Sequence, residues 1–168
     1  LVIDLIRSYH LNQKTIINRI LFNAEYHEAI MKLFEGIEGA FSLKEYSGSF
    51  LFWGVSSKEN MRIALWKKGK NLVSIDESIK VPLTKEGLES AFKENKIFPT
   101  TLLVFIVITF YYGLKCQGFF KQVNYLTFMK KLYISLVKQF GETQEAQIAS
   151  LEAHLTDRQG VLTEINNL

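Results

Sequence analysis

The segment FPTTLLVFIVITFYYGLKC, residues 98–116, decides the fold of this chain. No charged residue occurs at 97–114, a run of 18 positions. As a helix this run would rise about 27 Å, slightly less than the roughly 30 Å hydrocarbon core of a bilayer. The segment is therefore either a membrane span at 97–114 or a buried element of a folded domain.

Its composition favours a buried helix at about 99–113. Pro99 and Gly113 lie inside the run, and Pro99 suits the first position of a helix, where its missing N–H costs nothing. The other apolar segments of the chain need a central element to cover them, and a helix that is apolar on all sides supplies one. Two alternatives stay open: a membrane span, and a buried strand, which the β-branched residues at 104–109 permit.

The residues before this segment predict helices followed by a sheet. Apolar residues recur at helical spacing over 13–35, with Asn12 as an N-cap, and residues 1–10 form a short helix of their own. Gly36 and Gly39 end this helical part. Over 48–76 the pattern changes to short apolar runs, period-two alternation and turn signals, which predict a three-stranded antiparallel meander.

The remaining segments complete an α+β fold in which a helical half surrounds the apolar helix. Thr84 is suited to cap a short helix at 85–94. A second amphipathic helix covers 122–140 and ends at Gly141. We predict a single α+β domain at 1–140 and an acidic C-terminal helical tail at 141–168.

Size and cysteine content restrict the class of protein. The chain has 168 residues, enough for one domain with a real core. It contains a single cysteine, which excludes an internal disulfide framework and predicts a reducing, cytoplasmic environment, with membrane association as the alternative. Because the first residue is Leu1, we expect a processed chain or a piece of a longer protein.

Charge is distributed unevenly in the C-terminal half. Residues 97–140 contain five lysines and no acid, whereas 141–168 contain five acids and one arginine. The predicted basic surface, at 121–138, consists of Lys121, Lys130, Lys131 and Lys138. It would contact the acidic tail, a small anionic ligand or an anionic membrane surface. We also expect a protein partner, with self-association through the tail as one route.

Candidate catalytic residues are few. Cys116 follows Lys115, and a neighbouring cation lowers a thiol pKa, but no histidine can be placed beside it from the sequence. The cluster at 25–28 contains Glu25, His27 and Glu28, yet its spacing matches no metal motif and favours a solvated helix face. The chain contains neither a Gly-x-Gly-x-x-Gly motif nor a Walker-type glycine loop, the two standard motifs that bind nucleotide phosphates. We therefore predict no cofactor, and in the absence of a metal-binding spacing we predict no metal.

The aromatic and lysine-rich turn at 66–70 resembles the composition of some nucleic-acid surfaces. Base-reading sites favour arginine, however, and the chain has four arginines against 16 lysines. We interpret this turn as a soluble hairpin end and predict no sequence-specific nucleic-acid partner.

These observations lead to one main functional hypothesis and two alternatives. The main hypothesis is a non-catalytic interaction or ligand-binding domain that belongs to a larger protein or assembly. The first alternative is an enzyme for small molecules with a ligand pocket lined by Tyr111, Tyr112, Lys115 and Cys116. The second is a membrane-associated component with its span at 97–114.

Overall fold

The computed structural model describes residues 1–56, 61–114 and 120–141. The chain divides into two compact units, Leu1–Gln117 and Gly118–Leu168. The first unit combines helices with an antiparallel sheet, which confirms the α+β class. Our boundary between a domain at 1–140 and a tail stays a prediction, and residues 142–168 of that tail lie outside the described residues.

The N-terminal helices differ from the single helix predicted at 13–35. Helix α1 (Val2–Leu5) continues as a π-helix over Ile6–His10, and α2 (Ile16–Phe22) and α3 (Ala24–Phe34) follow. The N-cap of α2 is Thr15 rather than Asn12, because the Thr15 hydroxyl accepts the Asn18 N–H at 3.2 Å. Asn23 interrupts the predicted helix, since its extended backbone ends α2 while its side chain accepts the Glu25 N–H at 2.8 Å and caps α3.

The predicted meander is confirmed and forms the centre of a larger sheet. Its three strands are β3 (Phe52–Val55), β4 (Arg62–Lys68) and β5 (Asn71–Ser74). Two edge strands, β6 (Lys80–Pro82) and β7 (Ile97–Pro99), complete the order β6-β5-β4-β3-β7. Both edge strands are three residues long and end in proline, so their sequences show little of the period-two signal. A separate hairpin pairs β1 (Phe41–Ser42) with β2 (Ser47–Gly48).

Helix α4 (Lys85–Lys93) packs against this sheet. Thr84 caps it as predicted, accepting the Gly87 N–H at 3.1 Å. A Cβ atom on Gly87 would lie 2.4 Å from the Pro82 carbonyl oxygen, so glycine permits the close approach of α4 to β6. The rings of Phe52 and Phe92 meet edge to face with centroids 5.6 Å apart, which joins the sheet to the helix.

The uncharged segment at 97–114 contains a strand, an N-cap residue and a helix. Residues 97–99 form β7, Thr100 is the N-cap, and the helix runs through α5 (Thr101–Val104) into a π-helix at Phe105–Tyr111. Pro99 therefore lies in a strand, and its prediction as the first helical residue is wrong. The buried-strand alternative is wrong for residues 101–111. The prediction of a buried core helix is confirmed by the buried side chains of Leu102, Leu103, Phe105, Ile106, Val107 and Phe110.

The alternative of a membrane span at 97–114 does not match these elements. A strand occupies its first three residues, and the helical part is limited to 101–111. Across the described residues, no helix combines the length and the apolar character needed to cross a membrane.

In the second unit, the structure describes helix α6 (Phe120–Gln139). It corresponds to the helix predicted at 122–140, and Gly141 ends it with a φ of 62°. The buried apolar residues of the predicted inner face are Leu126, Met129, Tyr133, Leu136 and Val137.

Candidate functional site

A cleft of about 540 Å³ lies in the first unit, between the β1–β2 hairpin and one part of the sheet. The hairpin wall consists of lining residues between 36 and 48. The opposite wall, called the sheet wall, consists of Trp53 from β3 and Arg62 from β4, together with Thr100 and Thr101 at the start of α5. Both walls contribute polar groups, so the cleft offers several directed contacts to a bound molecule.

The hairpin wall is held by the Glu35 carboxylate. Its two oxygens accept the Leu43 N–H at 2.9 and 3.1 Å, and one of them accepts the Ser42 hydroxyl at 3.2 Å. The Gly36 N–H also donates to the Phe41 carbonyl oxygen at 2.9 Å. These bonds fix the two ends of the 36–42 turn to each other, and the buried ring of Phe41 adds edge-to-face contacts with Phe50 and Trp66.

Gly48 allows the hairpin to close. Its φ is 78°, in the left-handed region. A Cβ at this position would lie 2.5 Å from the Ala40 carbonyl oxygen and 2.6 Å from the Phe41 Cα. Because both of these are backbone atoms, the turn at 36–40 lies close to β2 only if residue 48 is glycine.

The sheet wall is held by a contact between Thr100 and Leu51. The backbone N–H and the hydroxyl of Thr100 both donate to the Leu51 carbonyl oxygen, at 2.9 and 3.0 Å. Leu51 is fully buried, yet its φ is 57°. Backbone strain of this kind persists where surrounding contacts hold it, and it is concentrated near functional sites. Here it lies two residues from Trp53.

Arg62 and Trp53 form a cation–π pair at the sheet wall. The guanidinium carbon of Arg62 lies 4.8 Å from the indole centroid of Trp53. Trp53 pairs with Ala64 across β3 and β4, and Arg62 pairs with Val55, so the two side chains are diagonal neighbours on one face of the sheet. Within the described residues Arg62 makes no ion pair.

The described lining of the cleft supplies several kinds of polar contact. It contains hydroxyls, backbone groups, an indole, one cation and two carboxylates, those of Glu38 and Glu45. Among the described residues that line the cleft there is neither a histidine nor a cysteine. These residues therefore offer orienting contacts, and none of them pairs a hydroxyl with an imidazole base.

The structure places the predicted ligand residues Tyr111 and Tyr112 elsewhere, around His10. The Tyr112 hydroxyl lies 3.1 Å from His10 Nε2, and the Thr15 hydroxyl lies 2.9 Å from Nδ1. Tyr9 completes this tyrosine cluster, with its ring centroid 5.2 Å from that of His10. Burial lowers the pKa of His10 to about 4. The other two predicted ligand residues, Lys115 and Cys116, lie outside the described residues.

The pKa values of the two predicted tyrosines are also shifted. Burial raises the pKa of both Tyr111 and Tyr112, and the nearby phenol of Tyr9 adds to each shift. Near neutral pH these phenols therefore stay protonated and act as neutral hydrogen-bonding groups around His10.

The three catalytic candidates at 25–28 differ in their exposure to solvent. Glu25 and Glu28 are exposed, as a solvated helix face predicts, whereas His27 is buried. His27 Nε2 lies 3.1 Å from the Leu21 carbonyl oxygen, and no described residue contacts Nδ1 with a hydrogen bond. Burial lowers the pKa of His27, so its imidazole is neutral near pH 7. The ring packs edge to face against Phe50.

The predicted basic surface lies on α6, in the second unit. Lys131 and Lys138 are exposed, and Lys130 is half-buried. Lys121 belongs to the helix, but its side chain lies outside the described residues. These lysines and the cleft belong to different units of the chain.

Sequence reasoning did not find the cleft. Gly36 and Gly39 are predicted as helix stops, and Trp53 lies in one of the short apolar runs at 48–76. The period-two alternation over 48–76 was the available signal for Arg62. That alternation does not specify the pairing register, which sets Arg62 beside Trp53.

Comparison of the chain with protein-family models, with curated proteins and with solved structures finds no significant match. A fold alone does not determine an activity, so the function is argued from the geometry of the site.

Proposed function

We propose that this protein is a non-catalytic ligand-binding domain and that a small organic molecule occupies the cleft beside Trp53 and Arg62. The cation–π pair at the wall of a 540 Å³ cleft carries this proposal. Cavities for small molecules typically measure about 300–1,000 Å³ and contain a few convergent polar groups. Membership in a larger assembly, a protein partner and a cytoplasmic location stay predictions.

The arrangement of the two walls supports binding with little reorganisation. The Glu35 carboxylate holds the hairpin wall, and the Thr100–Leu51 contact holds the sheet wall. A preformed site loses less conformational entropy when its ligand arrives, which improves affinity. The indole of Trp53 contributes apolar surface to the wall and holds the Arg62 guanidinium over its ring.

Tryptophan fluorescence tests the proposal directly. The chain has two tryptophans, so Trp66→Phe leaves Trp53 as the single reporter. Titration with a library of small organic fragments should identify molecules that quench Trp53. Ser47→Phe, which fills the cleft from β2, should weaken these fragments by at least about tenfold, or 1.4 kcal/mol. Lys44→Phe, in the same hairpin but outside the lining, should leave them unchanged.

The proposal fails if no fragment affects Trp53. It also fails if Ser47→Phe and Lys44→Phe weaken the fragments equally, because the effect would then come from a general change in the hairpin rather than from filling the cleft.

A second candidate function is supported by one observation, the His10 contacts. A neutral imidazole between the hydroxyls of Thr15 and Tyr112 is an arrangement that can relay a proton. We propose it as the site of the enzyme alternative, close to the position predicted from Tyr111 and Tyr112. Fragments that leave Trp53 unaffected but shift the pKa of Tyr112 would favour this site over the cleft.

A further inference from the structure

We infer that the ligand of the cleft is a zwitterion, with an anionic group bound by Arg62 and an ammonium group held by Glu38 and Glu45. This inference rests on the proposed function, because it names the chemical class of the molecule in the same site. It depends on the signs and positions of the three charged side chains that line the cleft in the described part of the chain.

The positive group belongs to the sheet wall. The guanidinium carbon of Arg62 lies 4.8 Å from the Trp53 centroid, and no described residue accepts a hydrogen bond from its N–H donors. A guanidinium matches a carboxylate with two parallel hydrogen bonds, which is stronger and more specific than a contact from lysine. Since no carboxylate in the described residues pairs with Arg62, the structure leaves this role to a bound molecule.

The negative groups belong to the hairpin wall. Glu38 and Glu45 are exposed, and within the described ranges neither makes an ion pair. The Glu45 N–H donates to the Ser42 hydroxyl at 3.2 Å, so the backbone that carries this carboxylate is fixed. Glu35, by contrast, already binds Leu43 and Ser42, and it serves the fold rather than the ligand.

Charge complementarity selects the class of ligand. A simple anion would bind Arg62 but would be repelled by two carboxylates across the same cleft. A simple cation would favour the carboxylates and be repelled by the guanidinium. A molecule with both charges satisfies each wall, and like-charge repulsion discriminates against the other two classes.

The test uses ω-amino acids, in which a methylene chain separates the ammonium from the carboxylate. The probes are 3-aminopropanoate, 5-aminopentanoate and 7-aminoheptanoate, each compared with the alkanoate and the alkylamine of matching length. Binding to the ¹⁵N-labelled whole chain is followed by NMR, which measures weak affinities. We expect at least one ω-amino acid to bind about tenfold more tightly than both matched probes, a difference of about 1.4 kcal/mol.

Two variants assign the charges. Arg62→Gln should remove the advantage of the ω-amino acid over the alkylamine, and the double variant Glu38→Gln with Glu45→Gln should remove its advantage over the alkanoate. Lys44→Gln, which changes a charge in the hairpin outside the lining, should preserve both advantages.

The outcomes separate this inference from the proposed function. An alkanoate or alkylamine that binds the cleft as tightly as every ω-amino acid overturns the zwitterion and leaves the cleft as a binding site. The same conclusion follows if fragments quench Trp53 while no ω-amino acid shifts a cleft resonance. Failure of both the fragments and the ω-amino acids to bind overturns both proposals.

Discussion

The helix at 101–111 and the hairpin at 36–48 contribute to the same cleft, but different interactions hold them in place. Six of the eleven helix residues are buried, whereas only Phe41 and Ser42 are buried in the hairpin. The hairpin instead depends on the Glu35 carboxylate and on the backbone freedom of Gly48. Substitutions in the two regions should therefore act on stability and on the shape of the cleft through separate physical mechanisms.

Val107→Asp should have the largest effect. Val107 is fully buried, and an unpaired carboxylate in an apolar interior is among the most costly substitutions. We expect a loss of more than about 4 kcal/mol in the free energy of unfolding, with an insoluble or unfolded product. Thr101→Asp is the control, because Thr101 is exposed in the first helical turn, where an acid is tolerated. Circular dichroism melting curves compare the two variants; an unchanged Tm for Val107→Asp would contradict the core assignment.

Gly48→Ala should cause the second-largest loss in the free energy of unfolding. The left-handed backbone costs alanine about 1–2 kcal/mol, and the clash with the Ala40 and Phe41 backbone adds to it, for a total of about 3 kcal/mol. Gly69→Ala is the matched control, since Gly69 has a φ of 61° but nothing within 4 Å of its Cβ position. Urea unfolding of both variants gives the comparison. Equal losses would mean that the close approach at Gly48 is relieved without cost.

Lowering the pH should cause a smaller loss of stability. The responsible residue is His10, which lies near the C-terminal end of the helix at 101–111, whereas the cleft lies near its N-terminal end. Folding lowers the pKa of His10 from 6.5 to about 4, so only the unfolded chain takes up a proton in this window. Stability should therefore be lost as pH falls from about 6.5 towards 4. The groups around the imidazole are the neutral hydroxyls of Thr15, Tyr9, Tyr111 and Tyr112, which supply no compensating negative charge.

His10→Gln isolates this contribution, because glutamine forms hydrogen bonds but does not titrate. Urea midpoints measured from pH 7 to pH 4 should fall less for the variant than for the wild type. The same urea midpoints are measured for His27→Gln as a comparison, because burial also lowers the pKa of His27 in the folded state. Parallel curves for the wild type and His10→Gln would exclude a role for His10 in acid stability.

Elements defined by local patterns were predictable from the sequence. The Thr84 cap, the meander and the buried helix follow from hydrogen-bonding side chains, period-two alternation and an uncharged run, each contained in a short window. The break at Asn23 was missed because one asparagine that caps a second helix looks like a polar residue in one long helix. Pro99 was misassigned because proline suits an edge strand as well as a helix start.

The cleft was not predictable because it depends on contacts between residues that are distant along the chain. Leu51 and Thr100, whose contact holds the sheet wall, are 49 residues apart. The sequence predicts a pocket lined by Tyr111 and Tyr112 because they lie at the end of the apolar helix. Their contact with His10, 102 residues from Tyr112, became visible only in the fold.

The most direct test of the account is an unbiased map of where small molecules bind. The ¹⁵N-labelled whole chain is titrated with a fragment library, and amide shifts are followed for every described residue. We predict that the perturbed amides concentrate in the cleft, at 36–48 and around Trp53, Arg62 and Thr101. Perturbations concentrated around Tyr9, His10 and Tyr112, with none at the cleft, would contradict the assignment of the cleft as the binding site.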